Sequence, residues 1–373
     1  MKRIGKYSLS LLLFIFLASC SLSEKGEPAL IDDFEIRQQP ECKLSELLTD
    51  SFRIIPLETT DESLVGEIAK IKKHDNTYYV LSAQTLLCFD ANGRFISKLK
   101  RQGEGPEEYI RIEDFDVYTI DGRTEIWISD NKTLKIYDAE DMSFLRHISF
   151  DFLIYKFKRL DSSHILLVTG NREKTLTLTD ANGEIIADYL DKEFPFLMFR
   201  PVQFISWGEN LCYQLGVSNA IVAFDTATEQ FSQKELVGNK EYLSSQDLLD
   251  LYKSNGMEFL REMKEKVYIN QFAVLNDNVW IHSNYFGKPF LTKIHSGSSI
   301  SSEIKEPLLT NDLFNLNDFT FLSTLFLSES AESLILYMDA LTIAENEGLL
   351  CYKNNTHIRV AEDDNPCLVE FYP

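Results

Sequence analysis

The residues able to do chemistry in this chain are mostly carboxylates, and their spacing limits what they could do. Asp114 and Asp116 stand two apart and Asp363 and Asp364 are adjacent, and a carboxylate pair could serve glycoside hydrolysis as acid and base. With 58 acids in 373 residues, however, such pairs arise by chance. The six histidines, His74, His147, His164, His282, His295 and His357, are widely separated. Only His282 falls near a loop that could reach a binding mouth, and no inner strand is expected to carry one. The sequence has no GxSxG, P-loop or HExxH motif, and its Asp-rich turns lack the spaced oxygen ligands of a calcium loop. No metal and no cofactor is therefore expected, and a lyase or hydrolase stands as the alternative to a binding protein.

The richest set of potential ligand contacts lies in one Gly-rich joint and the loops beside it. Arg101, Gln102, Glu104, Glu107 and Tyr109 come from the joint, and Ser82, Gln84, Asp130 and Asn131 from loops expected on the same face. An aromatic ring beside planar hydrogen-bond donors suits a sugar or a peptide. The bland reading of the same residues is that Glu107 and Glu108 are solvated and Arg101 pairs with one of them.

Those residues need a scaffold, and the stretch Lys98 to Tyr118 shows which one. A strand with alternating apolar residues ends at Leu99, and Gly103, Gly105 and Pro106 force a turn. A new strand then starts with Phe115 and Val117 alternating against Asp114 and Asp116. Around this joint the chain repeats with a period of roughly 40 residues, the length of four short strands and their turns, which is a propeller blade. The units run 67–100, 113–149, 154–189, 202–237, 267–305 and 318–360. In the last, Leu334 to Met338 and Leu349 to Tyr352 are the expected middle strands. The turn Asp90-Ala91-Asn92-Gly93 recurs as Asp180-Ala181-Asn182-Gly183, where Asn-Gly is expected to supply two residues of positive φ. The fold class is thus all-β: a six-bladed β-propeller of four-stranded blades. The strands Phe52 to Leu57 and Cys367 to Tyr372 are left over to close the ring.

One segment departs from the repeat. From Glu241 to Lys266 the apolar residues Leu248, Leu249, Leu251, Tyr252, Phe259, Leu260 and Met263 fall at helical spacing. Ser244 or Ser245 can cap the start, and Asn255-Gly256 divides the segment into two helices. This short helical insertion between blades 4 and 5 lies on the joint face, as a lid or as packing over a blade.

The N-terminus reads as an export signal. Lys2, Arg3 and Lys6 precede an apolar run from Leu9 to Leu17 that is too short to span a bilayer, and Leu17-Ala18-Ser19-Cys20 follows. That tetrapeptide is similar to the lipobox of bacterial lipoproteins, which implies a signal peptide over 1–19, lipidation of Cys20 and a tether over 20–50. The tether ends in a short helix near Leu44 to Leu48, and the propeller occupies 51–373. The formal charge is −21, and removing the three leader bases leaves 58 acids against 34 bases, or −24. Such a surface repels phosphate backbones, so no nucleic-acid partner is expected. Apart from Cys20, five cysteines remain: Cys42, Cys88, Cys212, Cys351 and Cys367. An odd number at wide spacing is no disulfide framework, and Cys88, Cys212 and Cys351 sit where strands would bury them as small hydrophobes.

Phe89 to Ile96, Gly103 to Tyr109, Glu125 to Asp130 and Leu134 to Asp138 together resemble the NHL type of propeller repeat. Ile55-Pro56-Leu57-Glu58-Thr59, the Gly-x-Gly-Pro-x-x-Tyr joint and Asp364-Asn365-Pro366 carry a closer resemblance, from Phe52 to Tyr372, to the six-bladed propeller lipoproteins of Bacteroidota. The resemblance implies a propeller in the cell envelope, held to the outer membrane by its lipid and facing periplasm or cell surface, and a monomer is expected. Its expected role is binding a glycan, peptide or partner protein, with a structural scaffold as a further alternative.

Overall fold

The structure is a computed structural model. It describes residues 41–373 except 193–197, 226, 227, 229, 239, 347, 348 and 353–355. The leader, Cys20 and the tether as far as residue 40 lie outside the described residues.

Five blades are built from consecutive antiparallel strands. Blade 1 comprises Ile68–His74, Thr77–Ser82, Thr85–Asp90 and Phe95–Leu99, and blade 2 Asp114–Ile120, Arg123–Asp130, Thr133–Asp138 and Phe144–Ser149. Blade 3 runs from Ile154 to Asp191, blade 4 from Phe204 to Glu235 and blade 5 from Val267 to Glu303. The first strand of each blade is the inner one, and it packs beside the first strand of its neighbours. Apolar clusters fill the seams between successive blades. Tyr79 and Leu86 of blade 1 meet Phe115 and Ile126 of blade 2, for example, and Ile205 and Cys212 of blade 4 meet Ile269 and Phe272 of blade 5. A blade is apolar on both faces because each face is someone else's core.

The sixth blade is assembled from both chain ends, and here the expected strands need correction. Leu334–Met338 pairs with Cys367–Phe371, which in turn pairs with Phe52–Pro56, so both spare strands enter the same sheet. Leu349–Tyr352 is no middle strand; it pairs with Thr356–Arg359 in a separate hairpin. The inner place is taken by a 3-10 helix, Thr320–Leu327, followed by Ser328–Glu329, which pairs in parallel with the inner strand of blade 1. The apolar density of TFLSTLFL reads equally as strand or helix, which is why periodicity alone misassigns it.

The end of the tether, with its short helix Leu44–Leu47, is docked on the propeller. Cys42–Lys43 pairs with Leu309–Thr310, and Leu44, Leu47 and Leu48 are fully buried against blades 5 and 6. The Trp280 indole N–H donates to the Leu47 carbonyl at 2.8 Å. The Asp90 and Asp180 turns also differ from the expected form: only Gly93 and Gly183 have positive φ. The Asp90 carboxylate accepts from the backbone of Asn92 and Arg94, so the side chain shapes the turn. Cys42, Cys88, Cys212 and Cys367 are free and buried.

The helical insertion forms as Ser245–Asn255, Gly256–Glu258 and Phe259–Met263, with Ser244 capping in a box with Asp247. Leu248, Phe259 and Met263 pack on Val217, in the loop between the second and third strands of blade 4. This is the packing role; the insertion is anchored rather than hinged over a mouth.

Candidate functional site

The inner strands of blades 1, 2 and 3 read Lys70-Ile71-Lys72, Asp114-Phe115-Asp116 and Lys156-Phe157-Lys158. Residues two apart on a strand point the same way, and a β-bulge before Lys70 and another before Lys156 set the phase of these strands. The result is two layers of charge facing across the channel. In one, Asp114 lies 2.8 Å from Lys70 and 3.6 Å from Lys156. In the other, Asp116 lies 3.1 Å from Lys72 and 2.8 Å from Lys158, and Glu329 lies 2.7 Å from Lys72 and 2.6 Å from Lys158. The second layer is therefore a closed ring of alternating sign.

Burial by itself would raise the Asp116 and Glu329 carboxyls, but the ammonium groups of Lys158 and Lys72 outweigh it and hold both well below the usual carboxylate range. Carboxylates held ionised in this way are poor proton donors and good fixed charges. Burial lowers the Lys156 ammonium, which Asp114 only partly offsets.

Beside the ring the channel holds a cavity of about 420 Å³, within the roughly 300–1,000 Å³ common for ligand sites. One wall is apolar, with Val202 just ahead of blade 4, Phe204 of blade 4, Phe272 of blade 5, and Leu325 and Phe326 of the 3-10 helix. The other is polar, with Lys72, Lys73, Ser328, Glu329, Ser330 and Ser333. The lining extends to His74 and Asp75, at the turn between the first and second strands of blade 1. That turn lies on the face opposite the Gly-rich joint, because the chain reverses at every turn.

None of the nine joint-face residues lines this cavity. Tyr109 is fully buried, and its hydroxyl donates to the carbonyls of Gln84 at 2.7 Å and Leu99 at 3.2 Å. Gln84 accepts from the Ile112 amide, Asp130 from the amides of Ile110 and Arg111, and Ser82 from Gly66. These four side chains hold the joint and its flanks in shape. Arg101 pairs with Glu107 at 3.5 Å, while Gln102, Glu104 and Asn131 are exposed. The structure thus brings the nine residues to the neighbourhood of one seam, between blades 1 and 2.

His74 corrects a further expectation: it ends the inner strand of blade 1, with its Nε2 2.9 Å from the Thr119 hydroxyl. His282 stacks on Phe326 at 5.9 Å between ring centroids. Among the described residues no group of three or more His, Cys, Asp or Glu is placed to hold a metal, and no helix is long and apolar enough to cross a membrane.

Sequence reasoning missed Arg200, which bridges blades 4 and 5. Its guanidinium donates to the carbonyls of Asn270, at 2.8 Å, and Gly216. Burial pushes it down to about 10. A lone arginine ahead of a strand carries no signal of this in the sequence.

A family model, Domain of unknown function (DUF4934), matches residues 31–372. The chain belongs to this family. The DUF4934 match spans the whole propeller together with the docked segment before it, in agreement with the resemblance to six-bladed propellers of Bacteroidota. None of the curated proteins matches the sequence. Among solved structures, one of a protein described as exported, from Bacteroides fragilis NCTC 9343, is similar with a TM-score of 0.68 and 19% identity, over 89% of this chain and 98% of that one. A member of the duf4221 family from Bacteroides vulgatus aligns with a TM-score of 0.52 and 9% identity, over 86% and 96% of the two chains. At these identities the likeness concerns the fold.

Proposed function

We propose that this DUF4934 protein is an exported, lipid-anchored binding module that takes a glycan or peptide into the channel cavity on the face opposite the Gly-rich joint. The observation that carries the reading is the cavity itself, about 420 Å³ with an apolar wall facing a polar one. Phe204 and Phe272 offer apolar surface to one side of a ligand, and the Ser330 hydroxyl and the exposed Asp75 carboxylate offer hydrogen bonds to the other. Sugars and peptides both have that two-sided character. The leader motif ending at Cys20 supports the address, with the protein at the outer membrane facing periplasm or cell surface.

The experiment is a thermal-shift screen of the purified protein against oligosaccharides and peptides, since a ligand of the folded state alone raises Tm. A hit from either class supports the reading. A protein that responds to neither but co-purifies with an envelope protein through an outer face would replace it with the scaffold reading.

A further inference from the structure

Exposed apolar side chains are divided unequally between the two faces of the ring. Because the chain reverses at every turn, the joints between blades and the connections between second and third strands emerge on one face, and the remaining turns on the other. Leu64, Ile110, Phe199 and Leu260 stand in joints, and Phe286 and Leu341 in connections between second and third strands, each 44–59% exposed. Ile96, Ile185 and Ile186 lie on outer strands, at the flank of the ring. Among the described residues the opposite face exposes one large apolar side chain, Tyr372, and its hydroxyl donates to Glu370 at 2.8 Å.

Phe286 shows that this exposure is not incidental. It takes the first place of the two-residue turn Phe286-Gly287 at a φ of 49°, in the left-handed region that bulky side chains avoid. Other two-residue turns of the blades place Asp75, Asp121, Asn131, Asn276 or Ser296 there, and Asn and Asp are the residues such turns favour. The strained turn therefore holds an aromatic ring out into solvent on the joint face.

The chain also arrives on this face. Cys42–Lys43 pairs with Leu309–Thr310, in the joint between blades 5 and 6. From there the docked segment crosses to Leu48, whose carbonyl accepts from Lys293 at 3.2 Å, and on to Phe52 at the other face. Residues 21–40 connect the entry point to Cys20. A lipid on Cys20 thus pulls the joint face toward the bilayer, while the channel cavity opens on the face away from it. Apolar side chains spaced around a ring lack the continuous core that a protein partner needs, but a bilayer requires only that they reach one plane. Their charged neighbours carry both signs, as Arg111 with Glu113 at 3.1 Å and Arg261 with Glu258 at 3.3 Å, which suits zwitterionic lipid.

We infer that the joint face is a membrane-docking surface, on which the propeller lies with these apolar side chains among the lipid headgroups and its cavity mouth directed away from the bilayer. The inference rests on the lipid-anchored reading of the preceding subsection and goes beyond it. The anchor alone leaves the propeller free to turn, whereas docking fixes which face meets the ligand.

The test places the lipidated protein on phosphatidylcholine vesicles with brominated acyl chains, which quench a tryptophan that reaches them. Measured against the wild-type baseline, Phe286→Trp and Leu260→Trp are expected to be quenched. Ser162→Trp, exposed in the turn between the first two strands of blade 3, is expected to stay bright. Leu260→Asp combined with Phe286→Asp should speed transfer of the lipidated protein between vesicles on the order of a hundredfold, about tenfold for each half-exposed side chain no longer buried in lipid. Its unfolding midpoint should match wild type, which separates lost docking from lost folding. Equal quenching at Ser162→Trp and Phe286→Trp, no quenching at either joint-face position, an unchanged transfer rate, or a co-purifying protein covering the joint face in place of lipid would overturn the inference. The anchor reading fails separately, when mass spectrometry finds no lipid on Cys20, and the inference then falls with it; absent quenching with the lipid in place counts against docking alone.

Discussion

The Glu370 carboxylate, on the last strand, lies 2.5 Å from the ammonium group of Lys73, on the inner strand of blade 1. Glu370 is fully buried, and it also accepts from the hydroxyls of Ser333 at 2.5 Å, Tyr78 at 2.7 Å and Tyr372 at 2.8 Å and pairs with Arg53 at 2.7 Å. One carboxylate thus ties the C-terminal strand to blade 1, to the N-terminal strand and to the loop beside the channel. It closes the ring.

Glu370→Ala removes the common partner of Lys73 and Arg53, and breaking a buried pair in this way costs about 3–5 kcal/mol. Urea unfolding is expected to show a lower midpoint with an unchanged slope. A midpoint within error of wild type would remove Glu370 from the closure.

The same residue sets an acid limit. Burial raises the Glu370 carboxyl, but hydrogen bonds from Lys73, Ser333, Tyr78 and Tyr372 outweigh it and bring it down to about 2, against an ordinary value of 4.5. A folded-state value below the unfolded one means the contribution is present above pH 4.5 and is lost as pH falls toward 2, on the order of 3 kcal/mol in all. Stability measured between pH 6 and pH 2.5 should fall below about 4.5, and Glu370→Gln should flatten that fall.

Glu329→Gln leaves Lys72 and Lys158 to share Asp116. The expected loss is below the roughly 3–5 kcal/mol of a fully buried pair, because the Glu329 side chain is 21% exposed. Thermal melts should place the variant below wild type, and an unchanged midpoint would remove Glu329 from the ring.

The blades were legible in the sequence because each repeats one apolar pattern between turn signals, as in Glu125 to Ser129 and Leu134 to Asp138. The charge lattice was half legible. Asp114 and Asp116 look like one more acidic pair among many, and only in register with Lys70-x-Lys72 and Lys156-x-Lys158 does their role show. An inner-strand alignment of the units would have exposed it. Glu329 and Arg200 were out of reach, since both act from segments with no repeat. At the Gly-rich joint, Tyr109 and Asp130 are polar residues whose partners are backbone groups 10 to 25 residues away in the chain, and spacing alone cannot separate such internal staples from ligand contacts.

Trp280→Phe deletes the donor to the Leu47 carbonyl and leaves that buried acceptor unpaired, at a cost of about 1–3 kcal/mol. The docked segment should also become easier to release. Limited proteolysis is expected to cleave the variant near residue 50 faster than wild type, and equal rates would argue against the segment's anchoring by Trp280.

Ligand titration into wild type and Ser206→Trp tests the central claim most directly. Ser206 is exposed on the inner strand of blade 4 and lines the channel cavity, so an indole there fills the site while leaving the seams intact. A glycan or peptide that binds wild type should lose measurable affinity for the variant, with its unfolding midpoint unchanged. Binding of equal strength to both proteins would contradict the account and move the ligand site out of the channel.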